Sequence, residues 1–199
     1  MKKKPETTIH FVRHGHVHNP QEILYSRLPR FRLSKEGKKE AQAIADYMKD
    51  CPIAAVFHSP MLRARQTARY IAAPHDLKLQ ETSLLHEIYT PYEGRPLKEL
   101  DKIGWNLYKD IPSEYEQPED IVQRVRRFCE RVIRTYAGRQ VAAVTHGDIV
   151  MYAQMWARGM AYTHENRINI KPYPSTCSIS TLVLSNDFDK PAFRYHTAK

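Results

Sequence analysis

The sequence predicts a single α/β domain with three layers, in which helices cover both faces of a mostly parallel central sheet. Short runs rich in β-branched, aromatic and other apolar residues alternate with longer segments whose apolar residues recur at helical spacing. Right-handed crossovers between such strands place the carboxyl ends of the first and fourth strands on the same edge of the sheet. Polar residues that follow these strands should therefore meet in one crevice.

The first strand is predicted over Thr8 to Val12, where β-branched and aromatic residues are concentrated. Residues 14–32 contain two prolines and several arginines, which predict a loop over the site. Ser34 is a good N-cap for a helix from about Lys35 to Asp50. The apolar residues that share one face of this helix are Ala41, Ile44, Ala45 and Met48.

The second strand is predicted over Ile53 to His58, an apolar run of strand length. Ser59-Pro60 then opens a helix that runs through about Ala72, with Pro60 in its first turn. Leu77 to Thr82 is predicted as the third strand.

Residues 88–118 show weak periodicity and are punctuated by prolines and glycines, with a short helix predicted around Leu97 to Asp101. A long irregular insertion in one domain is more often a lid or a binding segment than a simple connector. We therefore expect residues 88–118 to be a lid-like insertion.

The C-terminal half again alternates between helices and strands, and its first helix is ended by Gly138. The predicted elements are a helix over Glu119 to Tyr136, a strand over Val141 to Thr145, a helix over Ile149 to Arg158, a strand over Ser178 to Ser185, and a last strand over Ala192 to His196 that pairs beside it.

Composition restricts the class of protein. The 199 residues fit one domain, residues 1–6 form a basic start that we expect to be flexible, and no stretch approaches the roughly 18 apolar residues of a membrane span. Three widely separated cysteines argue against a disulfide framework and against a cysteine metal site, so we expect a cytoplasmic protein. The net charge of +9 should attract anions, although most of the basic residues fit solvated helix faces.

Chemically capable side chains recur just past the predicted strands. The first strand is followed by Arg13-His14-Gly15, the second by a segment with Arg63, the third by Glu87, and the fourth by His146. Each residue alone has an ordinary structural explanation. Together, the four strand ends predict a site with two histidines, two arginines and one carboxylate.

The ordered set of motifs resembles the histidine phosphatase superfamily, the phosphoglycerate mutase-like family, from Ile9 to about Leu184. One departure is Asp148, which stands where a small residue is common and is given no role. The matching features are Arg13-His14-Gly15, Asn19, the helix start Leu33-Ser34 with Gly37 and Gln42-Ala43, the stretch Ser59 to Ala68, Glu87, and His146-Gly147.

This resemblance implies that His14 attacks phosphorus as a neutral imidazole and carries the phosphoryl group. Arg13 and Arg63 should lower the pKa of His14 and bind the phosphate, together with Asn19 and a suitably protonated His146. Glu87 is expected to donate the proton to the leaving oxygen and to be held ionised by the arginines in the free enzyme. We expect a small phosphorylated substrate, no cofactor and no metal.

Three alternatives remain. The H-x-H spacing of His14, His16 and His18 resembles zinc ligands of metal-dependent hydrolases, although Arg13 and Arg63 would crowd a cation. The charge of +9 and the 12 tyrosines are compatible with a nucleic-acid-binding module, but no recognition motif accompanies them. Within the family, we expect a phosphatase that hydrolyses a phosphomonoester, and mutase activity is the nearest alternative. The sequence predicts neither the particular phosphomonoester nor the oligomeric state.

Overall fold

The computed structural model describes residues 5–185, 188 and 191–197, so residues 1–4 of the N-terminus that the sequence predicts to be flexible lie outside the described part. The described chain forms a single α/β domain around one six-stranded sheet. Its strands are β1 (Thr7–Arg13), β2 (Ile53–His58), β3 (Leu79–Glu81), β4 (Gln140–Thr145), β5 (Ser178–Leu184) and β6 (Ala192–Thr197).

The sheet is mostly parallel, as the sequence predicts. The strand order is β3-β2-β4-β1-β5-β6. The pairs β3/β2, β2/β4 and β4/β1 are parallel. The pairs β1/β5 and β5/β6 are antiparallel, so the prediction that the last strand pairs beside β5 is confirmed. Strand β4 lies between β1 and β2, which opens a crevice beyond their carboxyl ends.

Helices cover both faces of the sheet. The helices are α1 (Lys35–Met48), α2 (Leu62–Ala72), α3 (Leu97–Lys102), α4 (Pro118–Tyr136), α5 (Gly147–Ala157) and α6 (His164–Asn169). One apolar cluster joins the sheet to α1 and α2, and a second joins it to α4 and α5. Among the described residues, no helix is both long enough and apolar enough to cross a bilayer.

The alternation of side chains along the central strands explains why both faces are covered. In β1, Ile9 and Phe11 point to the cluster with α4 and α5, whereas Val12 joins the cluster with α1 and α2. Phe11 packs edge to face on Phe128 of α4, with ring centroids 5.9 Å apart. A strand with apolar residues on both faces is stable only between two helical layers.

Two local predictions need correction, and one helix is additional. Pro60 is not in the first turn of α2, because the Met61 amide donates to the Ser59 hydroxyl at 3.3 Å and Met61 stays extended, so the helix begins at Leu62. Helix α1 is properly capped by Ser34, whose hydroxyl accepts from the Gly37 amide at 3.0 Å, but it ends at Met48 instead of Asp50. Helix α6 was not predicted.

Two glycines let the loop after β1 lie directly on the start of α1. A Cβ atom on Gly15 would lie 2.5 Å from the Gly37 carbonyl oxygen, and one on Gly37 would lie 2.0 Å from the His16 carbonyl oxygen. Neither contact is possible for a larger residue without moving backbone. The Gly15 amide also donates to the Thr67 hydroxyl of α2 at 3.1 Å. The position of His14 is therefore fixed from both sides.

Candidate active site

The register of the parallel strands brings the predicted residues together. Arg13 is paired with Thr145, so His14 and His146 leave neighbouring strands at the same level, and their rings lie 5.2 Å apart. The Ser59 amide donates to the Val144 carbonyl at 3.0 Å, which aligns the end of β2 with them. The expected meeting of strand ends is therefore observed.

His14 is 1% exposed and its two ring nitrogens have different environments. Nδ1 lies 2.8 Å from the carbonyl oxygen of Gly15, an acceptor, so Nδ1 carries the proton. Nε2 then has a lone pair, and Arg63 Nε donates to it at 3.1 Å. Burial, followed by the charges of Arg63 and Arg13, lowers the pKa of His14 well below its ordinary value. The expected lowering by arginines is confirmed, although burial is the larger cause.

Arg63 is completely buried and joins the other residues of the site. Its Nη2 donates to the Ser26 carbonyl at 2.8 Å and lies 3.2 Å from His146 Nδ1. The guanidinium lies over the Tyr25 ring, 4.6 Å from the centroid. Its Nη1 is buried and has no hydrogen-bond partner among the described residues. A buried charged donor without a partner is costly, so this nitrogen is suited to an anionic ligand.

His146 is buried between Arg63 and Ser59, with Nε2 2.7 Å from the Ser59 hydroxyl. Because Arg63 Nη2 is a donor, the contact with Nδ1 requires a lone pair on Nδ1, and Nε2 then donates to Ser59. Burial and Arg63 lower the pKa of His146 well below its ordinary value. The protonated His146 that we expect beside a bound phosphate is therefore not the state of the ligand-free protein.

Glu87 reaches the site from the segment that follows β3 and a short 3-10 turn. Its Oε2 lies 3.3 Å from His146 Nδ1 and 3.6 Å from Arg63 Nη2, and its Oε1 accepts from the Ile88 amide at 2.9 Å. Burial raises the pKa of Glu87 to about 7, against the lowering effect of Arg63. The expectation that the arginines hold Glu87 ionised is therefore wrong, because desolvation of the carboxylate outweighs their attraction.

The two remaining predicted phosphate ligands are placed differently. Arg13 lines the same cavity as His14 and Glu87, donates through Nη1 to the Pro174 carbonyl at 2.6 Å, and has a buried Nε without a partner. Asn19 lies along an adjoining groove, and its amide donates to the Ile23 carbonyl at 2.9 Å. Arg13 thus joins the site directly, whereas Asn19 is engaged with its own loop.

The site opens into a cavity of about 660 Å³. Its walls come from the loop over residues 23–26, the segment 88–107 and the segment 167–173. The predicted loop over the site and part of the predicted lid-like insertion therefore contact the same cavity as His14.

Three charged residues hold the segment that carries Glu87. Glu116 accepts from Arg124 Nε at 2.6 Å and from Arg27 Nη2 at 2.9 Å. Arg27 Nε donates to the Glu87 carbonyl at 2.7 Å, and Arg124 Nη1 donates to the Leu84 carbonyl at 3.0 Å. The backbone on both sides of Glu87 is thereby tied to α4. No sequence pattern indicates this network, because its members are far apart along the chain.

The sequence also missed the role of Asp148, which is 7% exposed. Its carboxylate is paired with Arg167 of the unpredicted helix α6 and lies on the cavity wall. The sequence motifs predict no role for Ser59, the partner of His146. Its place directly after a strand is the signal that could have identified it.

The structure does not group the three histidines of the H-x-H alternative. Among the described residues, the ligand atoms of three groups, His14, Glu87 and His146, lie within 4.8 Å of one another, whereas His16 and His18 belong to no such cluster. The Arg63 guanidinium contacts all three members of the cluster, within 3.6 Å of each. A divalent cation there would face direct charge repulsion.

This fold and site define a class of α/β protein in which Arg-His-Gly and His-Gly occupy neighbouring strand ends around a buried arginine. Residues 9–193 match the histidine phosphatase superfamily (branch 1). The chain belongs to this superfamily, and the resemblance based on its motifs is confirmed.

Particular relatives agree with this assignment. The uncharacterized protein Rv0525 of Mycobacterium tuberculosis is 34% identical over 189 residues, which cover 92% of each chain. The structure of YhfR from Bacillus stearothermophilus has a TM-score of 0.81 at 19% identity, over 95% of this chain and 96% of that one. The mycobacterial glucosyl-3-phosphoglycerate phosphatase Rv2419c has a TM-score of 0.76 at 18% identity, over 96% and 97%. At 19% and 18% identity, these two comparisons show that the chain shares the fold of YhfR and Rv2419c.

The raised pKa of Glu87 predicts a pH-dependent contribution to stability. Between the ordinary pKa of 4.5 and about 7, the folded protein binds a proton that the unfolded chain has lost, so folding is favoured less as pH rises. The unfolding free energy of the wild type, minus that of Glu87→Gln, should fall by about 1–3 kcal/mol across this window.

Urea denaturation at several pH values measures this difference. Glu81→Gln is the matched control, because Glu81 is an exposed carboxylate nearby in the chain. A constant difference between the wild type and Glu87→Gln would contradict the raised pKa.

Proposed function

We propose that this protein is a phosphatase that hydrolyses a phosphomonoester through a phosphohistidine intermediate on His14, without a metal ion. The observation that carries the proposal is the pairing of a neutral His14, whose Nε2 has a lone pair, with a buried Arg63 whose Nη1 has no partner. The first group is a nucleophile and the second is a receptor for the phosphoryl oxygens. The similarity of the fold to that of the mycobacterial phosphatase Rv2419c supports a phosphatase activity for this protein.

In the first step, His14 Nε2 attacks phosphorus and the bond from phosphorus to the ester oxygen breaks. The leaving oxygen takes the proton of Glu87, whose pKa of about 7 keeps a large part of the carboxyl protonated at neutral pH. A bound phosphate dianion raises this pKa further by repulsion. Glu87 leaves the step as a carboxylate, and His14 carries the phosphoryl group.

In the second step, the Glu87 carboxylate accepts a proton from water, and the resulting oxygen attacks the phosphorus. The P–N bond breaks, inorganic phosphate is released, and His14 and Glu87 return to their starting states. The same residue thus acts as acid and then as base, as the reversal of roles between the two steps requires. Besides water, this step uses only Glu87 as the base and the phosphoryl group on His14.

Positive charge for the transition state comes from Arg63 and Arg13, which are held in place before the substrate arrives. His146 contributes as a donor once the phosphate dianion offsets its neighbouring arginine and raises its pKa. Asn19 would add a phosphate contact only after its amide releases the Ile23 carbonyl.

Replacement of His14 tests the intermediate. His14→Ala should abolish turnover, because among the described residues His14 is the histidine whose Nε2 accepts from Arg63. Brief reaction of the wild type with labelled substrate and an alkaline quench should trap an adduct on His14 that is stable in base and labile in acid. His18→Ala, at an exposed histidine, is the control and should keep wild-type activity.

Wild-type turnover by His14→Ala would refute the mechanism. Transfer of the phosphoryl group to a second substrate hydroxyl, in preference to water, would instead indicate the mutase alternative.

The role of Glu87 as proton donor predicts a dependence on the leaving group. Glu87→Gln should slow an alkyl phosphate by roughly 10²-fold or more, and nitrophenyl phosphate much less, because nitrophenolate needs little protonation. When leaving-group departure is rate-limiting, the wild-type rate on the alkyl ester should fall as pH rises through and above the pKa of about 7. This dependence should be flattened in the variant.

The control variants for this experiment are Glu81→Gln and Glu93→Gln. Glu81 is exposed at the end of β3, and the Glu93 carboxylate accepts from the Arg27 amide at 2.6 Å, so neither should alter the leaving-group dependence. Equal slowing of both substrates by Glu87→Gln would assign Glu87 a positioning role.

Removal of metal ions provides a further test. Dialysis against a chelator should leave the rate unchanged, because Arg63 and Arg13 supply the positive charge that a metal ion would otherwise provide. Activity before and after dialysis, with zinc or manganese added back, measures the effect. Loss of activity that zinc restores would support the metal-dependent alternative.

A further inference from the structure

The reactive charges of the cavity next to His14 lie close together, and we name this part of the cavity its polar end. Arg13, His14 and Glu87 form this polar end, and Arg63 lies beneath it. A phosphoryl group that reaches His14 Nε2 must therefore occupy the polar end. The rest of the cavity receives the alcohol part of the ester.

The remaining cavity surface is dominated by large apolar side chains. We name six of them the apolar wall: Leu24, Leu97, Trp105, Leu107, Ile168 and Ile170. They come from the loop after β1, from the insertion 88–118 and from the segment that begins with α6, so three separate parts of the chain supply apolar groups to one space. A hydroxyl group of the alcohol that faced this wall would lie against side chains that offer it no hydrogen bond.

Charged groups near the apolar wall do not offer a second anion site. Asp148 and Arg167 neutralise each other through contacts from Arg167 Nη2 and Nε, the latter at 3.2 Å, to one carboxylate oxygen. The Tyr173 hydroxyl donates to the same oxygen at 3.4 Å. Lys171 is exposed, so its ammonium group can extend into water. A carboxylate or a second phosphate on the substrate would have to compete with an ion pair that is already formed.

Two members of the apolar wall, Trp105 and Ile168, present apolar surface to the cavity in different ways. Trp105 has a φ of +58°, a backbone conformation that bulky residues rarely adopt, and its indole nitrogen donates to Asp101 at 2.8 Å. The polar tip of the ring is thus satisfied away from the cavity. Ile168 remains 41% exposed although it lines the cavity, so a ligand can still bury part of it.

We infer that the substrates of this site are monoesters of apolar alcohols, with an alkyl chain or an aromatic ring seated against the apolar wall. The inference rests on the proposed function for the position of the phosphoryl group, and on the apolar wall for the alcohol. It excludes small polyhydroxy and acidic phosphomonoesters as preferred substrates.

A homologous series of alkyl phosphates tests the inference without changing the chemistry of the leaving group. From ethyl to octyl phosphate, kcat/KM should rise with each added methylene until the cavity is filled. The rise should approach about fourfold per methylene, the equivalent of burying one CH₂ group. Propyl phosphate should exceed glycerol 3-phosphate, which has the same length and two additional hydroxyls. A flat series, or a preference for glycerol 3-phosphate, would overturn the inference.

Two isoleucine variants locate the effect. Ile168→Ser should lower kcat/KM for octyl phosphate by about tenfold and leave ethyl phosphate nearly unchanged. Ile103→Ser is the matched control, since Ile103 is 40% exposed but does not line the cavity, and it should change neither rate. Equal effects of the two variants on octyl phosphate would overturn the placement of the chain.

Binding of alkylphosphonates separates this inference from the proposed function, because these compounds cannot be hydrolysed at the P–C bond. If the protein cleaves none of the esters but binds octylphosphonate more tightly than ethylphosphonate, the proposed function fails and the apolar site stands. If His14-dependent hydrolysis is observed with no gain in rate or affinity along either series, the proposed function stands and this inference fails.

Discussion

The site depends on the burial of one guanidinium, that of Arg63. Arg63 is fully buried, yet its nearest carboxylate oxygen, on Glu87, is 3.6 Å away, and its shorter contacts are with neutral acceptors. A buried charge of this kind costs free energy in the ligand-free protein. This charge is tolerated because the Tyr25 ring covers one face of the guanidinium, and because the Ser26 carbonyl and two imidazoles accept hydrogen bonds from it.

The same burial sets the protonation states around Arg63. Desolvation lowers the pKa values of both histidines and raises that of Glu87, so a neutral His14 and a partly protonated Glu87 coexist near neutral pH. The arginine opposes part of the effect on Glu87 and reinforces the effect on His14. A more exposed site with the same residues would ionise Glu87 and lose the acid that departure of an alkoxide needs.

The residues that react and the residues that surround the substrate come from different kinds of structure. His14, Arg63 and His146 follow the ends of buried strands, where parallel register fixes their positions to a common level. The apolar wall comes from loops, the insertion and a short helix, and Glu116 joins the loop of Arg27 to Arg124 of α4. In the proposed function, the strand ends supply the chemistry and the loops select the alcohol.

By itself, the sequence determined the elements and the site members that depend on local pattern. Apolar runs marked β1, β2 and β4, the Ser34 cap marked α1, and the segments that follow the strands supplied the candidate residues His14, Arg63, Glu87 and His146. The structure brings these four residues together because strand register and crossover handedness leave little freedom at a strand end. Only the tertiary structure decided the protonation of Glu87, the engagement of Asn19 with Ile23, and the pair formed by Asp148 and Arg167. Each of these depends on desolvation or on contacts between distant segments, and neither is encoded in the spacing of residues along the chain.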